Sequence, residues 1–274
     1  MIIAHTRAEL AAALAQLEGT IGLVMTMGAL HEGHLSLVEA ARAEADNVVV
    51  SIYVNPLQFA PGEDYDTYPR DLEADIALLD GVAVVFAPTD EEMYPRDPLV
   101  RINPGPVATV LEGKTRPTHF AGVLQIVHKV FNLVRPDYAW FGQKDAQQLA
   151  LIRTMVADLN MPLEIRAVPI KREPSGLAMS SRNEYLTPQE RETALALSRA
   201  LNAGREKAES GATPEEVLAA AHGVVDNTPG VKLDYLVLVD RETFVSLNTH
   251  GEGLLAIAAW VGSTRLIDNM EVTL

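Results

Sequence analysis

Cysteine is missing from all 274 residues. Its absence removes disulfides and thiol catalysis together, and it takes away the ligand on which structural zinc sites most depend. Long apolar runs are missing too. The longest near the end of the chain, residues 254–261, falls far short of the roughly 20 residues a membrane helix requires. The N-terminus lacks the basic-then-apolar form of a secretory signal, so the expectation is a cytoplasmic protein without membrane contact. Positive charge is scarce: 22 Lys and Arg stand against 37 Asp and Glu, a net charge of −15. That balance excludes a broad nucleic-acid surface, which needs clustered cations, but it allows a small anionic ligand held by a few local ones. No Gly-x-Gly-x-x-Gly follows a strand, which disfavours a dinucleotide oxidoreductase, and there is no internal repeat or low-complexity stretch.

What is present is a large apolar fraction, 48% of the residues, enough for one large or two smaller domains. The chain is organised around residues 25–34. Residues 20–25 form a short apolar run of strand type, and Leu35, Val38, Ala41 and Ala45 repeat at the spacing of one helical face. The turn between them holds Gly28 and Gly33, which let backbone approach a ligand, and His31 and His34, the second at the helix start where free N–H groups and the helix dipole favour an anion. Taken alone, this pair admits three readings: a polar loop, a metal pair, or a phosphate site.

Residues 47–54 are a β-branched strand ended by Pro56, so strand, helix and strand make a parallel βαβ unit. Ligands bind beyond the carboxyl ends of such strands, which places Asn55 and Gln58 toward the same crevice as the histidines. The chain opens with a short strand-like stretch. Residues 7–17 read as a helix closed by Gly19, 71–79 as a helix, 82–86 as a strand, 88–98 as a solvated acidic loop, and 121–133 as an amphipathic helix preceded by a polar loop in which His119 is a capping residue. A strand at 138–141 then ends at Gly142-Gln143-Lys144-Asp145, followed by a helix over 146–159 with an aliphatic face at Leu149, Ile152, Val156 and Leu159. This repeats the design of the first motif. Lys144 can meet phosphate as a point charge, Asp145 can cap the helix or accept a ribose hydroxyl, and Gln148 projects back one turn on. After a strand at 163–170, Pro174 and Gly176 mark a hinge, and Ser180, Ser181 and Arg182 offer donors to phosphate oxygens. Beyond it come two helices, 187–209 and one ending near Asp226, and strands at 233–239, 254–261 and 270–274. The expected architecture is α/β, a Rossmann-like parallel sheet domain over residues 1–172, followed by a smaller α+β C-terminal domain over 173–274.

Blocks spread over nearly the whole chain resemble the pantothenate synthetases, pantoate-β-alanine ligases of the His-x-Gly-His nucleotidylyltransferase superfamily. They are residues 26–34, 54–59, 68–70, 116–123, 142–149 and 179–183, in the family's order. The resemblance implies a two-step reaction, in which pantoate attacks the α-phosphorus of ATP to give pantoyl adenylate, and β-alanine then displaces AMP. It implies that Met27, Gly28, Ala29, Leu30, His31, Glu32, Gly33 and His34 hold ATP, together with Gly142, Gln143, Lys144, Asp145, Lys171, Met179, Ser180, Ser181 and Arg182. His31, His34 and Lys144 take the catalytic roles, and Gln58, Gln148 and the less central Asn55 contact pantoate and β-alanine. Mg²⁺ is expected with ATP, and a homodimer is expected. No metal ligand is identified. The C-terminal domain is expected to act as a lid. Two positions depart from the family pattern: Met25 stands in place of a usual proline and Gln143 in place of a frequent glutamate. Neither removes a proposed contact. The rival readings are another nucleotidylyltransferase of the superfamily, which need not have Gln58 and Gln148, and a nucleotide-binding regulator without turnover.

Overall fold

A computed structural model of the chain describes residues 1–274. They fall into two compact units, Met1–Gln143 with Leu151–Pro169, and Lys144–Ala150 with Ile170–Leu274. In chain order the elements are β1 (Ile2–Ala4), α1 (Arg7–Leu14), β2 (Ile21–Thr26), α2 (Glu32–Glu44), β3 (Asn47–Ile52), α3 (Leu72–Ala77), β4 (Val84–Phe86), α4 (Asp90–Met93), α5 (Glu112–Thr115), α6 (His119–Val134), β5 (Tyr138–Gly142), α7 (Ala146–Asp158), β6 (Glu164–Val168), α8 (Pro188–Glu209), α9 (Pro214–Asp226), β7 (Val231–Val239), β8 (Glu252–Val261) and β9 (Thr264–Thr273).

The first unit is built on a six-stranded sheet in the order β1-β4-β3-β2-β5-β6, every pairing parallel. Its central strands are apolar throughout because they are covered on both faces: in β3 all residues after Asn47 are buried. Leu37, Val38 and Ala41 of α2 join Val24, Val50, Val85 and Trp140 in one core. Helix α6 is the most deeply set, with Phe120, Val123, Leu124, Val127, Val130 and Phe131 buried. It approaches the short 3₁₀ turn Pro56–Gln58 so closely that a Cβ on Gly122 would collide with the Leu57 carbonyl oxygen.

Several local expectations are corrected. Helix α1 stops at Leu14, where Gln16 and Leu17 donate to the carbonyls of Ala13 and Leu14, tightening the last turn; Gly19, at φ +84°, serves the turn into β2 and does not cap the helix. The acidic stretch after Pro88 is largely solvent-exposed as expected, but it is not loop throughout. It contains α4, and Asp90 accepts the hydroxyls of Tyr53 and Tyr65 at 2.8 Å each. Burial and this carboxylate push the Tyr53 hydroxyl pKa up. In α7 the buried face passes through Leu151, Ile152 and Met155, while Leu159 is 53% exposed.

The second unit is an antiparallel sheet, β7-β8-β9, with α8 against β8 and β9 and α9 against β7. Both helices begin with a threonine cap, Thr187 paired with Glu190 and Thr213 with Glu216, which satisfies otherwise orphaned N–H groups. Leu197, Leu201, Val217, Leu255 and Ile257 fill the core between them. Strand β9 begins six residues earlier than its apolar run, since buried Asp268 and Asn269 interrupt that run. Residues 174–176 are not a hinge. They close a short hairpin in which Glu173 N–H donates to Leu177 O and Met179 N–H to Lys171 O, with Gly176 at φ +97°. A turn of this kind needs the same residue types as a hinge.

Gly122→Ala should therefore destabilise the fold by about 1–3 kcal/mol, the usual cost of overpacking. Gly223→Ala in α9, where an added Cβ meets nothing within 4 Å, is the control expected to be neutral or slightly stabilising. Equal denaturation midpoints for the two variants would refute the close approach.

Candidate active site

In the first unit the site grows from the end of β2. Thr26, buried, donates its hydroxyl to Ser51 O (3.1 Å) and accepts Gly28 N–H (3.3 Å), tying the strand end to β3. Gly28 and Ala29 then take left-handed conformations, φ +84° and +51°, which turn the chain sharply into α2. For Ala29 this conformation is unfavourable and must be held from outside. Asp75 on α3, buried, does so: its carboxylate accepts Leu30 N–H at 2.7 Å and Ala29 N–H at 3.1 Å. Asp75 Oδ2 would also lie 2.9 Å from a Cβ at position 28, so the turn is closed to any larger residue.

His31 is the N-cap of α2, and its Nδ1 accepts Gly33 N–H at 3.1 Å. His34 sits one turn on, its Nδ1 3.4 Å from His31 N–H, and the two rings stand 4.1 Å apart between centroids. With Nδ1 accepting from backbone in each ring, the neutral imidazole carries its proton on Nε2. The helix start thus presents imidazole N–H donors along with its own positive dipole end.

Gln58 stands beside this turn, its Nε2 3.9 Å from Met27 Sδ. It is held at every other point. Asn55 Nδ2 donates to Gln58 Oε1 (3.0 Å), and the Gln58 carbonyl accepts from His119 Nδ1 (3.0 Å) and Arg116 (3.3 Å). Arg116 is itself fixed by both carboxylate oxygens of Glu63. Asn55 has no exposed surface, and its amide also bonds Gly122 O and the Tyr94 hydroxyl. The structure therefore places Asn55 behind Gln58, where it orients the longer amide. His119 supports the Gln58 carbonyl in the same way; it is the first residue of α6 and not its cap, which is Thr118. A cavity of about 230 Å³ adjoins the turn, lined by Met27, Gly28, Tyr53, Asp75 and Thr89 among others.

The second unit assembles another group. Lys144, half-buried, lines a small cavity with Ser180, Asn183 and Asp268, and its ammonium forms no ion pair with a carboxylate. Ser180 caps the 3₁₀ turn Ser181–Tyr185 by accepting Arg182 N–H (3.3 Å). Asn183, buried, donates to Ala178 O and Glu173, and Arg191 grips both Glu173 oxygens and the Asn183 carbonyl. Met179 and Lys171 are paired through backbone. Gly142 ends β5, Gln143 follows it in the first unit, Asp145 is exposed, and Gln148 is half-buried one turn into α7. No cluster of three or more His, Asp or Glu residues is placed to hold a metal ion. Asp75, Arg116 and Asn183 escaped the sequence reading as site residues. Arg116 and Asn183 lie inside recognisable blocks, whereas Asp75 carries no local signal.

A parallel sheet whose strands end in a His-x-Gly-His turn at a helix start places the chain among the Rossmann-like α/β enzymes of nucleotidyl-transfer type. The family model described as pantoate-beta-alanine ligase matches residues 2–271. The pantothenate synthetase of Salinispora arenicola is 55% identical, with 99% of this chain and 98% of that protein covered, and that of Thermobifida fusca is 52% identical over 100% and 96%. Among solved structures, pantothenate synthetase from Thermus thermophilus superposes with a TM-score of 0.95 at 47% identity, covering both chains fully. The Francisella tularensis pantoate-beta-alanine ligase, solved with β,γ-ATP and β-alanine, gives 0.82 at 37% identity over 98% and 97%. The chain belongs to the pantoate-β-alanine ligase family, the enzymes that join pantoate to β-alanine at the expense of ATP.

Replacing Asp75 by Asn keeps the size but offers one acceptor where two N–H groups need two. Each hydrogen bond to a charged acceptor contributes about 1.5–3 kcal/mol. Asp75→Asn is expected to lower the rate of pantothenate formation by roughly 10- to 100-fold with the circular-dichroism spectrum unchanged. A variant as active as the parent would mean that the turn holds itself.

Proposed function

We propose that this enzyme works through pantoyl adenylate, with the start of α2 as the anion-stabilising element. The observation that carries the reading is the placement of backbone N–H groups at Nδ1 of both His31 and His34, which leaves Nε2 of each ring as the donor at a helix N-terminus. In the first step the pantoate carboxylate attacks the α-phosphorus of ATP in line, the bond to the bridging oxygen breaks, and pyrophosphate leaves with the electron pair. Such displacement needs positioning and charge neutralisation more than a base. In our reading, residues 27–34 bind the phosphates, and His34 donates to charge that develops in the transition state. Lys144 and the loop 179–182 contact the phosphates of the same nucleotide, Asp145 the ribose, and Lys171 the adenine through its backbone. In the second step the β-alanine amine attacks the acyl carbonyl, the carboxyl–phosphate bond breaks, AMP leaves, and the amine loses its proton. Gln58 and Gln148 hold the pantoate hydroxyls and carboxylate, and Gln58 also borders the amine.

Mg²⁺ enters as part of the nucleotide substrate. Coordination by phosphates and water needs few protein ligands. An acyl adenylate survives only where water is kept out, which gives the second unit a reason to act as a lid. No helix is long and apolar enough to cross a membrane. We place the enzyme in the cytoplasm as a homodimer, the expectation its family carries.

The decisive experiment is exchange of labelled pyrophosphate into ATP with each candidate acid added alone. Exchange is expected with pantoate only, and exchange without any acid would remove the adenylate route. His34→Ala should slow exchange by roughly 10²- to 10³-fold, the usual loss on removing one transition-state donor. Near-normal single-turnover adenylation in that variant would make the histidine structural. Gln148→Ala should weaken pantoate and leave ATP binding largely intact; equal losses for both would count against its assignment.

A further inference from the structure

Strand β9 is an edge strand of the second unit's sheet, with Asp268 and Asn269 register-paired to Ile257 and Ala256 of β8. Both residues are buried, and neither packs apolar surface. Asn269 Nδ2 donates to the backbone carbonyl of Lys144 at 2.8 Å, across 125 residues of sequence. Asp268 receives Arg172 in a two-pronged ion pair, 2.7 and 2.9 Å, with only 3% of its side chain exposed. The same carboxylate accepts the backbone N–H of Asn269 at 2.8 Å, which ties the Asp268 side chain to the backbone of its neighbour. Arg172 also donates to Gly176 O (3.2 Å) and, at longer range, to Asn269 O (3.4 Å). Its backbone bridges Ala178, next to the Lys171–Met179 pair that leads into Ser180. The grouping of Lys144–Ala150 with residues 170–274, apart from β5 and from the remainder of α7, says the same on a larger scale.

We propose that Asp268 and Asn269 are positioning residues for adenylation: one strand of the C-terminal sheet holds both the Lys144 backbone and the 171–182 loop, and so fixes the Lys144 ammonium relative to Ser180 and Arg182. The proposal rests on the reading of Lys144 as a phosphate contact. The physical reason for using buried polar groups here is geometric. A lysine on a short 3₁₀ turn has a mobile four-carbon stem, and the backbone from which that stem starts is the one point the protein can hold rigidly. A backbone carbonyl in contact with a buried amide is held at low dielectric, where a missing partner is costly, so the turn has little freedom to drift.

The test is a double-variant cycle on the full-length enzyme, read as pantoate-dependent exchange of pyrophosphate into ATP. Lys144→Ala alone should slow exchange strongly. Asn269→Ala alone should slow it roughly 10- to 100-fold, the range of one lost buried hydrogen bond at a positioned group. Combined, the two changes should be no slower than Lys144→Ala, because Asn269 acts through that lysine. Asn269→Ser, which keeps a short donor, should recover part of the rate, and it replaces the alanine variant in the cycle if that variant does not fold. Multiplying effects in the double variant, or a wild-type rate for Asn269→Ala, would overturn the proposal. A wild-type rate for Lys144→Ala would overturn the phosphate role of Lys144 itself, an outcome visible in the single variant alone.

Discussion

Parallel pairing of β2 with β3 on one side and β5 on the other is the constraint on which the first unit depends. Strands that run in one direction end at one edge, and their hydrogen-bonding groups run out together there. The turn after Thr26, the Asn55–Gln58 turn and the Gly142–Gln143 exit are therefore neighbours by topology, although they are separated by up to about 115 residues of sequence. The same pairing buries both faces of the central strands, which leaves that edge as the place where polar chemistry can be presented. Helix α2 begins at the edge because β2 ends there, and the histidines follow from the helix start.

Buried polar residues then turn placement into precision. Asp75, Asn55, Arg116 and His119 in the first unit, and Asn183, Asp268 and Asn269 in the second, each make at least one hydrogen bond to a backbone group or to a side chain that the proposal assigns to ligand. Asp75 offsets the strain of a left-handed alanine, and Asn55 removes the freedom of Gln58 to flip its amide. A side chain held in this way loses less entropy when a ligand arrives, which is the advantage of preorganisation.

The glycine turns from which the proposal draws its ligand contacts are legible in the sequence and the residues that hold them are not, for a definite reason. His31, His34 and Lys144 sit in glycine turns between a strand and a helix, and that local pattern states its own geometry. Asp75 lies 45 residues from Leu30, whose N–H it accepts, and Asn269 lies 125 from the Lys144 carbonyl. Each recognises plain backbone, so the partner has no side-chain signature to search for. Periodicity located every strand of both sheets but misjudged ends: β9 started early because a buried Asp-Asn pair looks like a loop, and residues 174–176 looked like a hinge because turns and hinges share proline and glycine. The change of element pattern divides the sequence once, at 172/173, while the grouping of Lys144–Ala150 with the second unit depends on contacts that no local window contains.

Electrostatics divides the two groups in kind. A chain with a net charge of −15 that binds a polyanion must place its attraction locally. In the proposed mechanism the first unit offers uncharged donors, imidazole N–H groups and the start of α2. The second uses cations, and the structure sorts these sharply. Arg172 is committed to Asp268, Arg191 to Glu173, and in the first unit Arg116 to Glu63, while Lys144 has no such carboxylate. Neutral donors stabilise charge that develops during reaction without holding the product by a full ion pair, whereas a cation favours the charge already present on the nucleotide. The proposed route, which releases pyrophosphate and retains an adenylate, has a use for both kinds of group: the neutral set stands at the end of the parallel sheet, and the backbone that carries the cation is held by β9.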